Sequence, residues 1–332
     1  VISVLGAGAV GLTLGTRLAQ AGRHVLFVTR RPEAARAITI DGVRLEDPGS
    51  GEAWSVRTNV EAIAGLGAAG ARIGTGPVLV CVRASDTPTA AAELASAAPG
   101  AVVASLQNDV GNAAVLAARF ARVIGGVYRQ TCTRVADNAA LALGRGRIVL
   151  GAWPEGRSDE SAQLAEGLRA AGYDVGVSER ISCDQWLKLA INLMSAPNAL
   201  VVPGDHESPA FVEIKTRLLE EARAVFAAAG IEARSCDGRD RSLDEEIRFQ
   251  REALVRGASA RRLPVYNQVW SALRDGGPLE ADGYHRRILA LAAEHGLAAP
   301  QNARVLEAVI EAHAERFGPE CLRADDLLVR AM

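Results

Sequence analysis

The sequence predicts an α/β chain in two parts, a parallel-sheet domain over residues 1–177 followed by an all-helical domain over 178–332. Three observations predict it. A short apolar strand, Val1–Leu5, runs directly into Gly6-Ala7-Gly8-Ala9-Val10-Gly11 and then into a helical run, the G-x-G-x-x-G start of a Rossmann-type fold. Strand and helix signals then alternate to about residue 177, which implies a mainly parallel sheet covered on both faces. From Asp184 onward the periodicity is helical throughout, punctuated by Gly230, Gly257, Gly276-Gly277 and Gly296.

In order, Val1–Leu5 leads to a helix from about Val10 to Ala21, closed by Gly22, and to a second strand, His24–Val28. Val78–Val82 and Ala101–Leu106 read as further strands, separated by an Ala-rich helix over Thr89–Ala98. Val123–Val127, Arg147–Leu150 and Asp174–Val177 read as later strands, with a helix over Ser158–Ala171 ending at Gly172. The helical half comprises Asp184–Ala196, Pro209–Ala229, Leu243–Val255, a segment around Asn267–Leu273, Leu279–His295 and Asn302–Arg316. In two-domain chains of this order the reaction is expected in the cleft between the domains.

Composition removes several classes of function. Hydrophobic residues make up 49% and charged residues 23%, with a net charge of −2 and the two signs interspersed. No basic stripe with aromatics is present, so nucleic acid is not an expected partner. No run of 18 apolar residues exists and the first residues already read as a strand, so no membrane partner and a cytoplasmic location are expected. The five cysteines are scattered and form no C-x-x-C pair, the five histidines form no H-E-x-x-H helix, and no metal site is expected. A helical second domain can also serve as a homodimer surface, but no patch is legible.

The glycines define the first candidate site. Gly6 permits the tight turn, Gly8 lets backbone approach a pyrophosphate, and Gly11 lets the helix pack on its strand. The N–H groups of Ala7 to Gly11 lie at the start of the helix, where anions bind. The second strand ends Thr29-Arg30-Arg31 and has no acid to take a ribose 2′-hydroxyl. Arg30 and Arg31, with Thr29 helping, suit a 2′-phosphate, so NADP(H) is expected in preference to NAD(H). Glu33 follows Pro32 and is expected in the first turn of the next helix.

Of the 37 basic residues only Lys188 and Lys215 are lysines. Arginine holds anions but does not release a proton near neutrality, so any lysine acid must be one of these two. Lys188, Asn192 and Ser195 fall at i, i+4 and i+7, a polar stripe on an otherwise apolar rod. Asn108 and Arg83 follow strands at the expected carboxyl edge. Asn108 suits a nicotinamide ribose or a substrate hydroxyl, but is also an ordinary turn former; Arg83 suits a phosphate or carboxylate, but also plain surface. Glu280 follows the Gly276-Gly277-Pro278 break, where an acid commonly serves the helix dipole. It gains interest only if the fold brings it near Lys188.

Together these segments resemble the ketopantoate reductase family over nearly the whole chain. The resemblance rests on GAGAVG at 6–11, VCVRASDT at 80–87, SLQNDVG at 105–111, DQWLKLAIN at 184–192, LEAD at 279–282 and EHGLAAPQN at 294–302. It implies NADPH held partly by Arg30, with Lys188 as general acid. It also implies Asn108, Asn192 and Glu280 at the substrate and cofactor, and Gln268 or Asn267 in place of a substrate-binding serine. The chain departs from the family at Arg83, Asp109, Ala196 and His285. The expected function is reduction of a 2-keto acid, 2-dehydropantoate or a related compound. The alternatives are a different keto acid, an imine or another biosynthetic intermediate, and a non-catalytic NADPH-binding sensor.

Overall fold

A computed structural model describes residues 1–73, 76–252 and 266–329. Contacts divide the chain into one unit running from Val1 to Ser182 and a second that begins at Cys183.

The strands of the first unit are β1 (Ile2–Leu5), β2 (Val25–Thr29), β3 (Val43–Glu46), β4 (Ala53–Val56), β5 (Val60–Ala64) and β6 (Pro77–Val80). They continue with β7 (Val102–Ser105), β8 (Val123–Arg129), β9 (Cys132–Ala136), β10 (Ala139–Ala142), β11 (Arg147–Ala152) and β12 (Asp174–Val177). Eight of them form one sheet in the order β12-β11-β8-β7-β6-β1-β2-β5. From β5 to β8 every neighbouring pair is parallel. These six strands follow the dinucleotide-fold order, so all their carboxyl ends open on one edge. β11 is antiparallel to β8 and β12 is parallel to β11.

Six helices accompany these strands: α1 (Ala9–Gln20), α2 (Pro32–Asp41), α3 (Leu66–Ile73), α4 (Thr87–Ala97), α5 (Asn112–Ala117) and α6 (Asp159–Ala170). In α1 every residue from Gly11 to Ala19 is buried. The cause is a four-stranded sheet, β4-β3-β10-β9, which touches α1 in addition to β1 and β2. The buried Arg17 of α1 is accommodated by donating to the Gly144 carbonyl at 3.0 Å and lying against the rings of Trp54 and Tyr173.

That second sheet is absent from the sequence reading. Its strands are four or five residues long, and β3 alternates buried Val43 and Leu45 with exposed Arg44 and Glu46. Its central pairing joins β3 to β10, whose first paired residues are Arg44 and Ala139. No local window carries a signal at that separation.

Among the described residues from 181 on, the helices are α7 (Ile181–Asn192), α8 (Ser195–Leu200), α9 (Pro209–Ala228), α10 (Leu243–Arg251), α11 (Gln268–Asp275), α12 (Ala281–Glu294), α13 (Pro300–Ala314) and α14 (Ala324–Leu327). The long α9 is the hub of the second unit, packing on α8, α10, α12, α13 and α14. Ser208 caps it by accepting from the Phe211 N–H, with Pro209 at its first position. The last part of the helix expected to reach Val255, and the Gly257 stop, lie outside the described residues.

One expected helix is broken in two. The run Asp184–Ala196 is not continuous: α7 ends at Asn192 and α8 starts at Ser195. Ser195 Oγ donates to the Asn192 carbonyl at 2.6 Å, and Pro197 has no N–H to continue the ladder. Lys188 and Asn192 remain one turn apart on one face, while Ser195 leaves the stripe.

Candidate active site

The first unit carries a crevice of about 760 Å³ at the carboxyl edge of β1, β2 and β6. Its floor is the glycine turn. Gly6 has φ +105°, and a Cβ there would meet the Cys81 backbone at 3.1 Å. A Cβ on Gly11 would lie 2.0 Å from the Gly6 carbonyl oxygen, so α1 approaches β1 as closely as it does only with glycine there. At Gly8, by contrast, a Cβ would find only the Cys81 carbonyl, 4.0 Å away.

Gly8 is also the N-cap of α1, which has no side-chain cap, and the first intrahelical bond runs from Leu12 N–H to the Gly8 carbonyl. The preceding N–H groups of the turn thus lack intrahelical partners, as an anion cradle requires. Gly6, Ala7 and Gly8 line the crevice directly. Ala9, Val10 and Gly11 do not line it; they build the helix start and its packing behind the cradle. Cys81 lies at the same floor, and burial, with Cys132 adding to it, pushes its thiol up to about 12. It stays a neutral thiol and is no nucleophile at ordinary pH.

Arginines supply the polar wall. Arg30, Arg31 and Arg83 line the crevice, as does Arg134 of β9, which the sequence reading missed because it comes from the second sheet. Arg31 and Arg134 both pair with Asp137, the latter at 3.0 Å. Thr29 lines the crevice as well, and its hydroxyl donates to the Arg31 carbonyl at 2.8 Å, shaping the turn. Glu33 occupies the first turn of α2 behind Pro32, as the sequence implies. An acid is nonetheless present. Asp86, from the turn after β6, stands 3.4 Å from Arg30 Nη1 and accepts from Arg83 Nε at 3.2 Å.

Gln107 knits the neighbouring loops together. Its Nε2 donates to the Val82 carbonyl and to Thr87 Oγ1, both at 2.7 Å, while Thr87 donates to Asn112 Oδ1 at 2.9 Å. Asn108 follows in the loop after β7, half-buried, and its side chain makes no hydrogen bond among the described residues. It is not among the residues lining the arginine crevice.

In the second unit, Lys188, Asn192 and Glu280 are all half-buried. A hydrogen-bond ladder links the end of α7 to the start of α12. Ser195 bonds back to Asn192, and its own carbonyl accepts from Asn267 Nδ2 at 3.1 Å. Asn267 caps α11 by accepting from the Trp270 N–H at 2.9 Å. The next residue, Gln268, donates to the Pro278 carbonyl at 2.5 Å and accepts from the Glu280 N–H at 3.2 Å. Gln268 therefore uses its amide to hold the backbone that carries Glu280. Glu280 is the N-cap residue of α12, yet its side chain makes no capping bond.

Ala196 and His285 are fully buried. His285 Nδ1 meets Asn302 Oδ1 at 2.9 Å, Asn302 Nδ2 donates to Glu221 Oε2 at 2.8 Å, and His285 Nε2 has no partner. Burial lowers the His285 pKa to about 4 against smaller opposing effects of Asn302 and Asp282, so it is neutral at ordinary pH. No group of side chains fit to hold a metal occurs among the described residues, and no described helix is long and apolar enough to cross a membrane.

A glycine cradle at the start of the first helix, on a sheet of dinucleotide-fold order followed by a helical unit, defines an NAD(P)-binding oxidoreductase architecture. Residues 2–155 match the family described as ketopantoate reductase PanE/ApbA, and residues 180–313 match its C-terminal part. The chain belongs to this family. A 2-dehydropantoate 2-reductase of Caulobacter vibrioides is 28% identical over 92% of this chain and 96% of its own length. The crystal structure of a PanE/ApbA family ketopantoate reductase from Ralstonia eutropha JMP134 superimposes with TM-score 0.77 at 26% identity, covering 95% of this chain and 99% of that one. A D-mandelate dehydrogenase solved with NADH and anilino(oxo)acetate shares the fold at 17% identity and TM-score 0.77, covering 96% and 99%.

Proposed function

We propose that this protein is an NADPH-dependent reductase of a 2-keto acid, with 2-dehydropantoate or a close relative as substrate. The observation that carries the reading is the glycine cradle and the arginine wall meeting in one crevice. The uncapped first turn of α1 would hold the pyrophosphate, with Arg30 and Arg31 at a 2′-phosphate and Arg83 at a phosphate or carboxylate. The bound nicotinamide supplies hydride to the carbonyl carbon.

The chain's own residues do the rest. Lys188, as ammonium, donates a proton to the developing alkoxide, and its amine is reprotonated from water. Asn192, one turn further along α7, and Asn108 orient the reactants. Glu280 accepts from a substrate hydroxyl and positions the lysine, while Gln268 holds the Glu280 backbone.

The relatives named 2-dehydropantoate 2-reductases favour that substrate. The departures from the family pattern at Ala196 and His285 favour a second reading, a different keto acid or an imine. Loss of a hydroxyl's partner costs about 1–3 kcal/mol, enough to redirect specificity. NADPH oxidation measured against 2-dehydropantoate and a panel of keto acids and imines separates the two. Lys188→Met should slow the chemical step by roughly 10²–10⁴-fold with NADPH binding intact. Near-normal turnover in that variant refutes the assignment, and tight NADPH binding without turnover on any substrate identifies a sensor instead.

A further inference from the structure

The sequence ends β2 without the acid that usually accepts an adenosine ribose hydroxyl, but the fold delivers one from elsewhere. Asp86 lines the crevice and divides its two oxygens between two guanidinium groups, Oδ1 at 3.4 Å from Arg30 Nη1 and Oδ2 at 3.2 Å from Arg83 Nε. It stands at the N-cap of α4, yet its side chain makes no capping bond; its backbone N–H alone closes the turn, onto the Arg83 carbonyl. Within its own turn the carboxylate serves only Arg83, three residues before it. Its surroundings are those of a ligand site.

A carboxylate at that place treats the two nicotinamide cofactors oppositely. A ribose 2′-hydroxyl can donate to Asp86 while both arginines keep their partner. A 2′-phosphate seeking Arg30 approaches a guanidinium already paired with Asp86, and brings its own charge against that carboxylate. We propose that Asp86 is the residue that sets the 2′-substituent preference of this crevice, accepting from the ribose hydroxyl of NADH and weakening NADPH at Arg30. Both cofactors then bind, and the advantage of NADPH is smaller than Arg30 and Arg31 alone would make it. The inference rests on the reading of this crevice as a dinucleotide site.

The test is equilibrium binding of NADPH and of NADH to the full chain by titration calorimetry at low salt, for wild type, Asp86→Asn and Asp86→Ala. Two variants are used so that a folding defect peculiar to one does not decide the result. Removing the charge should tighten NADPH by about five- to tenfold and weaken NADH by roughly threefold. Adenosine 2′-monophosphate should follow NADPH, since it carries the 2′-phosphate without the nicotinamide. A ratio of the two dissociation constants unchanged in both variants overturns the inference and leaves the dinucleotide site standing. A wild-type chain that binds neither cofactor overturns the site itself.

Discussion

Asn267 donates from Nδ2 to the Ser195 carbonyl at 3.1 Å, and through this bond the start of α11 is fastened to the start of α8, just beyond the helix that bears Lys188. The same side chain caps α11 with its Oδ1, and Gln268 beside it holds the backbone of Glu280. One residue thus serves both a helix end and the placement of two candidate catalytic segments.

Asn267→Ala removes a cap and a tertiary bond together. A loss of about 1–2 kcal/mol in urea unfolding is expected. Because Glu280 is displaced with the loop, kcat should fall by more than the Kd for NADPH rises. Equal changes in the two quantities would show that Asn267 supports only the fold.

Arg30→Ala should weaken NADPH by roughly 10- to 100-fold, the range of a charge-assisted hydrogen bond, while NADH changes little. Fluorescence titration of both cofactors measures this. An unaltered preference would remove Arg30 from the 2′-phosphate site.

Gly11→Ala places a Cβ 2.0 Å from the Gly6 carbonyl oxygen. Either α1 shifts off β1 or the cradle opens, so a loss of about 3 kcal/mol in thermal or urea unfolding is expected together with loss of dinucleotide binding. Gly8→Ala meets no such clash with the chain, since its nearest neighbour is 4.0 Å away. That variant should fold normally and lose affinity alone, a contrast that circular dichroism and calorimetry resolve.

His285 predicts an acid dependence of stability. Its pKa is near 6.5 in the unfolded chain and about 4 in the folded one, where burial keeps it neutral. The unfolded state therefore takes up a proton first as pH falls. The contribution of the neutral ring is whole above about pH 6.5 and is lost progressively down to about pH 4, a total of roughly 3 kcal/mol. Urea unfolding of wild type and His285→Asn at pH 7 and pH 5 should show the wild type losing more on acidification. Parallel losses would place His285 in contact with solvent.

The nucleotide half was legible because its signals are local. A glycine at a positive φ, an uncapped helix start and alternating strand and helix periods are properties of a few consecutive residues. The break at Asn192 was less legible. Its cause, a serine bonding back to a carbonyl three residues earlier, looks in one dimension like a continued polar stripe. The bonds of Gln268 to the backbone at 278 and 280 are not legible in the sequence, since they lie across a loop.

By itself the sequence determined the G-x-G-x-x-G strand–turn–helix, the run of parallel strands, the helical second half and the two lysines from which an acid could be drawn. Only the tertiary structure decided that a second sheet buries α1 on its far side, that Arg134 and Asp86 enter the nucleotide crevice, and that His285 is core. The physical reason is separation along the chain. Backbone propensity and hydrophobic period act over one or two turns, whereas Asp86 meets Arg30, and β3 meets β10, only after sheet pairing has brought distant segments together.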